Sequence, residues 1–162
     1  AHRSRASSVL SRRGENLSMQ IALGSDTKAD LPEAIDRWLR AHGHVVRRFG
    51  AFAPEADEAW SSVGRSVGAA VANGEADFGI LCCWTGTGVS IAANKVPGVL
   101  AALCGDAATA RGAREWNDAN VLCLSLRATS AAVADEMLEA WFAGKVTQDP
   151  IYQAMIADVS EL

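Results

Sequence analysis

Histidine is scarce in this sequence, with three residues in a chain of 162. His2, His42 and His44 are too few, and too unevenly spaced, for a metal site built from imidazole ligands. The four cysteines form no C-x-x-C pair and no finger-like pattern with the histidines. We therefore expect no metal site, and the thiols favour a reduced, cytoplasmic protein over a disulfide framework.

Long apolar runs and clustered basic charge are also missing. No segment reaches the roughly 18 apolar residues that a membrane span requires. The net charge is −4, and four of the arginines lie within residues 1–18, so the rest of the chain is more acidic than the whole. Because nucleic acids are bound through clustered Lys and Arg, this composition argues against a nucleic-acid partner.

Residues 1–18 are rich in Ser and Arg and show no apolar periodicity. We interpret residues 1–18 as a disordered or leader extension, with a transit peptide as the alternative, and residues 19–162 as a single α/β domain. From Met19 onward, short apolar strands alternate with helical patterns, which predicts right-handed crossovers and a parallel sheet. The expected fold is a three-layer Rossmann-like sandwich with a five-stranded sheet in the order 2-1-3-4-5.

The segment from Gly79 to Lys95 carries the clearest chemical signal. An apolar strand ends at Cys83, a loop of Gly and Thr follows, and a helix begins. Open α/β sheets bind ligands at this edge, because loop amides and helix N-termini point outward there. Asp26, after strand one, is expected to face the same crevice, and Asp106 to follow strand four at the same edge. Strand alternation turns Cys82 to the opposite face.

The loop Thr85-Gly86-Thr87-Gly88 presents backbone amides with little side-chain bulk. It is neither a Walker A motif nor a complete dinucleotide fingerprint, so a nucleotide ligand is not indicated. A thiol beside such a loop indicates proton transfer or nucleophilic attack on a small polar molecule. Cys104 and Cys123 are assigned to the core.

Several ordered motifs give the chain a wider resemblance. It resembles the ribose-5-phosphate isomerase B family, which includes the galactose-6-phosphate isomerase subunits, over most of residues 19–143. The motifs are Gly24-Ser25-Asp26, Gly74-Glu75-Ala76-Asp77, Cys83 with Thr85 to Gly88, the block from Ser90 to Gly98, Arg114-Glu115, and Asn117 to Leu122.

This resemblance implies aldose–ketose interconversion through a cis-enediol, without a metal or an organic cofactor. It implies that Cys83 is the base, assisted by Asp26 and Thr85. The other residues implied in substrate binding are Thr27, Trp84, Gly86, Thr87, Gly88, Trp116, Asn117 and Arg127. Asn117 and Arg127 are expected to act across a subunit interface, in a homodimer or homotetramer that binds a sugar or sugar phosphate.

Three departures from the family pattern bear on the substrate. Thr27 stands where the family has histidine, and Trp116 stands where the family has its ring-opening histidine. From Lys145 to Leu162 there is no Arg and no His to hold a phosphate, and Ile151, Met155 and Val159 predict a packing helix instead. Lys28, Arg111 or Arg114 could substitute, although Lys28 has the pattern of a solvated loop lysine. Without a substitute, the ligand is an unphosphorylated sugar or one whose phosphate binds elsewhere. The alternative function is a non-catalytic sugar-binding or regulatory relative of these enzymes.

Overall fold

The computed structural model describes residues 17–54 and 57–162, so the prediction of an extension over residues 1–18 lies almost wholly outside them. Within the described part, five strands alternate with helices. The strands are β1 (Gln20–Ser25), β2 (Val45–Gly50), β3 (Phe78–Cys83), β4 (Ala101–Leu103) and β5 (Val121–Ser125). The helices are α1 (Asp30–Ala41), α2 (Trp60–Ala72), α3 (Thr87–Asn94), α4 (Ala107–Asn117), α5 (Ala131–Ala143) and α6 (Pro150–Ser160).

The strands form one parallel sheet in the order β2-β1-β3-β5-β4. The predicted α/β sandwich is therefore confirmed, but the predicted order of the last two strands is wrong. A central strand must be covered on both faces, and the first four residues of β5 are all buried. The three residues of β4 are partly or fully exposed, so this strand lies at the sheet edge.

Helices cover both faces of the sheet. Helices α1, α4 and α5 pack on one face, with Trp141 fully buried there against strand side chains. Helices α2 and α3 pack on the other face, where Val63, Val67 and Val89 are buried. A Cβ atom at Gly24 would lie 2.8 Å from the side chains of both Val63 and Val67, so glycine lets α2 sit directly on β1.

Asp30 and Glu33 have the spacing of an N-cap residue and its capping-box partner, but helix α1 begins differently. Ala29 is its N-cap and supplies no side-chain hydrogen bond, while Asp30 is the first helical residue. Glu33 does not reach back to the cap, because its carboxylate accepts hydrogen bonds from the Arg48 guanidinium. The first turn of α1 therefore keeps N–H groups without a side-chain acceptor.

Helix α6 has no buried residue. The predicted apolar face is present, but Ile151, Met155 and Val159 are 64%, 57% and 47% exposed. The expected packing of this face is therefore not found within a single copy of the described chain. Among the described helices, none has the length and apolar character needed to cross a membrane.

Candidate active site

Asp26 and Cys83 lie side by side where two neighbouring strands end. Ser25 of β1 is level with Cys82 of β3 in the parallel register, and the Asp26 N–H donates to the Cys82 carbonyl at 3.4 Å. The next residue of each strand, Asp26 and Cys83, therefore stands at the carboxyl edge of the sheet. Asp26 is half-buried, and its Oδ1 accepts a hydrogen bond of 3.0 Å from the Thr27 hydroxyl.

The loop after Cys83 turns directly into helix α3. Gly86 is the N-cap with φ of 77°, a left-handed conformation that L side chains rarely adopt. A Cβ atom there would also lie 2.5 Å from the Leu103 side chain. No side chain caps the helix, so the N–H groups of its first turn remain free to bind an anion. The Thr85 and Thr87 hydroxyls, 2.7 Å apart, flank this turn.

Gly88 is a glycine for a packing reason as well. A Cβ atom at Gly88 would lie 2.9 Å from the indole ring of Trp60, which begins α2. The Trp60 ring thus packs against Gly88 and supports the loop, a contact that the sequence pattern did not indicate. The resemblance gave Gly88 only a role in substrate binding.

The four thiols lie in distinct environments. Cys82 and Cys83 belong to clusters on opposite faces of the sheet, as strand alternation predicts. Burial raises the pKa of the Cys82 and Cys123 thiols, and burial together with Asp106 raises the pKa of Cys104 to about 11. These three thiols are therefore protonated at neutral pH. Cys83 is the cysteine at the strand end, next to the loop and its amides.

The corrected strand order changes which loop lies beside Cys83. Ser125 of β5 is level with Cys83, and its hydroxyl donates to the Trp84 carbonyl at 2.9 Å. The Arg127 N–H donates to the same carbonyl at 3.1 Å, so the Arg127 backbone lies beside the cysteine loop of its own chain. The expected contact of its side chain across a subunit interface stays a prediction. Asp106 follows the edge strand β4 and caps α4 by accepting from the Thr109 N–H at 2.7 Å. Asp106 therefore lies one strand further from Cys83 than the predicted strand order implied.

A cleft of 530 Å³ has Thr27 and Trp84 in its wall, the residues that directly follow Asp26 and Cys83 in the sequence. It lies between the starts of α1 and α5, and it is lined by Lys28, Arg37 and Asp30 among others. Neither Lys28 nor Arg37 forms an ion pair with any residue in the described ranges. The two cations outnumber the one carboxylate, so the cleft favours an anionic group.

Arg37 was missed in the sequence. It follows Asp30 by seven residues and Ala34 by three, a spacing that puts all three on one helix face, and all three line the cleft. Thr129, whose side chain is 8% exposed, lies at the other wall. The helical spacing was a usable signal for Arg37, but only once α1 was known to flank the site.

Trp116 and Asn117 do not join Cys83 within one chain. Helix α4 runs antiparallel to the strands and ends at Asn117, shortly before β5 begins. Asn117 therefore lies at the amino ends of the strands, whereas Cys83 lies at their carboxyl ends. A strand of five or six residues is about 16–20 Å long, so these side chains are separated from Cys83 by the length of the sheet. Trp116 is 49% exposed and its ring lies against Gly112 of its own helix.

The remaining charged candidates also lie away from the crevice. Arg114 is 2% exposed and binds Asp118 and the Ala119 carbonyl, so it cannot substitute as a phosphate ligand at the surface. Arg111 is exposed on α4. His42 and His44 lie at the amino edge, where His44 Nδ1 accepts the Met19 N–H at 3.2 Å. Within the described ranges, no three His, Cys, Asp or Glu side chains cluster as metal ligands would.

The fold and site define an α/β protein of Rossmann-like topology with a thiol, a carboxylate and free amides at one crevice. The Ribose/Galactose Isomerase family model matches residues 21–158. Galactose-6-phosphate isomerase subunit LacB of Clostridium acetobutylicum is 33% identical over 145 residues, 89% of this chain and 83% of its own. D-erythrulose-4-phosphate isomerase of Pectobacterium atrosepticum is 35% identical over 124 residues, 76% of this chain and 82% of its own.

A solved structure agrees with these matches. Ribose-5-phosphate isomerase B of Clostridium thermocellum has a TM-score of 0.81 and 36% identity, covering 88% of this chain and 96% of its own. The class is therefore that of the sugar-phosphate isomerases. The chain belongs to the Ribose/Galactose Isomerase family, which confirms the resemblance. Because these relatives are named isomerases, they give no support to the non-catalytic alternative.

Proposed function

We propose that the protein interconverts an aldose and a ketose phosphate through a cis-enediol, with Cys83 as the base. The observation that carries the proposal is the thiol of Cys83 at a strand end, beside Asp26 and the free N-terminal turn of α3. A base, a hydrogen-bonding carboxylate and a preformed anion site are the groups that this proton transfer needs.

Cys83 removes the proton from the carbon next to the carbonyl. An ordinary thiol is mostly protonated at neutral pH, and a helix N-terminus stabilises the thiolate. As the proton leaves, negative charge develops on the carbonyl oxygen. Free amides of residues 84–88 then stabilise the enediolate, and because they are already oriented they cost little reorganisation. Returning the proton to the neighbouring carbon completes the isomerisation.

Asp26 and Thr85 assist this step. The Asp26 carboxylate, oriented by the Thr27 hydroxyl, accepts hydrogen bonds from the sugar hydroxyls and moves protons between the two enediol oxygens. Thr85 and Thr87 place hydroxyls at the start of α3, within reach of the same oxygens. The exposed Trp84 ring offers an apolar surface to the C–H groups of the sugar.

The phosphate of the substrate binds in the cleft lined by Lys28 and Arg37. Both cations lack ion-pair partners among the described residues, and the uncapped first turn of α1 adds free N–H groups. Asp30 lines the same cleft and opposes the anion, so the two cations act against one carboxylate. This arrangement replaces the Arg and His residues that the C-terminal segment lacks.

The active unit is a homodimer or a larger homo-oligomer. Helix α6 exposes an apolar face, and the Thr147 N–H preceding it donates to the Glu115 carbonyl of α4 at 2.8 Å. A second copy that covers α6 therefore lies next to Trp116 and Asn117. In that arrangement the Trp116 and Asn117 side chains enter the active site of the partner subunit, where the Asn117 amide holds the substrate. The four free, buried cysteines support a reducing, cytoplasmic location.

Deuterium incorporation tests the reaction. We expect the protein in D₂O to place deuterium at C1 or C2 of a phosphorylated aldose or ketose, with formation of the other isomer, as measured by NMR. The panel contains free and phosphorylated sugars of four to six carbons. Thermal stabilisation by a sugar phosphate without any exchange would contradict the isomerase and favour a binding role.

The cations of the cleft are tested by neutralising both. We expect Lys28→Met with Arg37→Met to raise KM for the phosphorylated substrate about 100- to 10,000-fold, since the two charge-assisted hydrogen bonds contribute about 1.5–3 kcal/mol each. Arg65→Met, at an exposed position of α2, is the matched control and should leave KM unchanged. A double variant with normal KM and reduced kcat would show that the phosphate binds elsewhere.

A further inference from the structure

The backbone turns sharply where strand β3 becomes the cysteine loop. Strand β3 lies between β1 and β5, and the carbonyl groups along a strand point alternately to its two neighbours. The Cys82 carbonyl faces β1, where it accepts from the Asp26 N–H at 3.4 Å. The Cys83 carbonyl faces β5, where it accepts from the Leu126 N–H at 2.9 Å. A strand that continued would therefore turn the Trp84 carbonyl back toward β1 and Asp26.

The Trp84 carbonyl points to β5 instead. It accepts from the Ser125 hydroxyl at 2.9 Å and from the Arg127 N–H at 3.1 Å, and these donors belong to the end of β5 and the turn that follows it. A trans peptide is planar, with its C=O and N–H on opposite sides. The Thr85 N–H therefore points away from β5, so the peptide turns a donor toward the side of the loop where Asp26 lies.

The Ser125 hydroxyl is oriented by a second hydrogen bond. Its oxygen accepts from the Ala128 N–H at 3.2 Å, which leaves its one proton for the Trp84 carbonyl. Ser125 is level with Cys83 in the parallel register, so the hydroxyl lies beside the strand end that carries the proposed base. Among the described residues, the Thr85 N–H has no acceptor, and it is therefore available to a ligand.

We infer that Ser125 is a positioning residue for the isomerisation, because it holds the Trp84–Thr85 peptide so that the Thr85 N–H binds the enediolate oxygen. This inference rests on the proposed function. Ser125 acts through the peptide and takes no part in proton transfer. An N–H that is already oriented stabilises developing negative charge at little cost in reorganisation.

The reverse orientation of this peptide would oppose the reaction. Without the Ser125 hydroxyl, only the Arg127 N–H holds the Trp84 carbonyl, and the peptide can rotate toward the orientation of a continuing strand. The carbonyl oxygen, with its partial negative charge, would then face the enediolate and repel it. The bound substrate has not yet developed this charge, so its binding should suffer less than its conversion.

Ser125→Ala tests the role of the hydroxyl. With the sugar phosphate of the panel that exchanges fastest, we expect kcat for deuterium exchange to fall about tenfold and KM to change less than about twofold. This loss is smaller than the roughly 100- to 1000-fold expected when a donor is removed outright, because the Arg127 N–H remains. Ser125→Thr keeps the hydroxyl and should hold kcat within about threefold of the wild type.

Ser130→Ala is the matched control. The Ser130 hydroxyl also binds one backbone group, since it caps α5 by accepting from the Val133 N–H at 3.2 Å. Its loss should lower the free energy of unfolding, measured by chemical denaturation, while kcat stays at the wild-type value. A similar fall of kcat in Ser130→Ala and Ser125→Ala would assign the effect to general destabilisation and contradict the inference.

The other outcomes separate this inference from the proposed function. A Ser125→Ala protein with wild-type kcat and lower stability would make the hydroxyl purely structural. A raised KM with unchanged kcat would place Ser125 in substrate binding and also contradict the inference, as would an equal loss of kcat in Ser125→Thr. Absence of exchange by the wild type with every sugar of the panel would overturn the proposed function and, with it, the role of Ser125.

Discussion

Replacing Cys83 with alanine is expected to lower the rate of C1/C2 deuterium exchange about 100- to 10,000-fold, the usual contribution of a positioned general base. In the proposed mechanism the Cys83 thiol receives the substrate proton, and Cys82, its neighbour, faces the other side of the sheet. Burial raises the pKa of the Cys82 thiol, so it cannot take over as base. Deuterium incorporation by NMR measures the loss directly.

Cys82→Ala is the matched control for this variant. It removes a buried thiol from the adjacent residue and should keep the exchange rate near that of the wild type, with some loss of stability. Binding of a sugar phosphate to Cys83→Ala, followed by thermal shift, should persist because the amides and cations of the site are unchanged. Exchange that continues at the wild-type rate in Cys83→Ala would show that another group is the base.

The same variant tests the shared site. Cys83→Ala and Asn117→Ala are expected to be impaired alone, but mixed subunits should regain about a quarter of the wild-type activity in a randomly mixed dimer. A mixed dimer has one site with both Cys83 and the partner's Asn117 intact. Failure to regain activity after proven subunit exchange would argue against a contribution of Asn117 across the interface.

The sequence alone was sufficient to predict three parts of the candidate site: the strand that ends at Cys83, the Cys83 thiol and the Asp26 carboxylate. A buried apolar run that ends in Cys83 and a glycine loop can form few structures other than a strand and a helix start, and parallel strands bring their carboxyl ends to one edge. Asp26 and Cys83 could therefore be paired before the structure was known. The motif from Gly86 to Gly98 was enough to identify the family.

Long-range packing was harder to predict. The order of β4 and β5 depends on which of the two strands is covered on both faces. The two strands, β4 with Ala101 and β5 with Cys123, differ little in their local pattern of apolar residues. This error placed Asp106 too close to Cys83. Arg37 was missed because its position in the cleft wall depends on how α1 sits beside the cysteine loop.

Arg114 shows the same limit for a charged residue. Within its family motif it looked like a surface cation able to hold phosphate. In the structure, its guanidinium lies 4.7 Å from the Phe78 ring centroid and 5.6 Å from the Trp141 ring centroid, and Nη1 donates to the Ala119 carbonyl at 2.6 Å. Burial lowers the pKa of Arg114, and Asp118 opposes that shift. The side chain joins α4, β3 and α5 in the core.

Arg114→Ala is therefore expected to destabilise the fold by about 3–5 kcal/mol, the usual cost of breaking a buried ion pair. The change leaves a cavity beside Phe78 and Trp141, removes the ion-pair partner of Asp118, and leaves the Ala119 carbonyl without its donor. Chemical denaturation gives the change in the free energy of unfolding. For a domain of this size, we expect the melting temperature to fall by about 10 °C.

Arg111→Ala is the matched control, because Arg111 lies on the same helix with an exposed side chain and should change stability by less than about 0.5 kcal/mol. Arg114→Met fills much of the cavity without the charge, and Asp118, whose side chain is 21% exposed, can then be hydrated. The free energy of unfolding should therefore fall less in Arg114→Met than in Arg114→Ala. An Arg114→Ala protein with wild-type stability and a raised KM for sugar phosphate would instead make Arg114 a phosphate ligand.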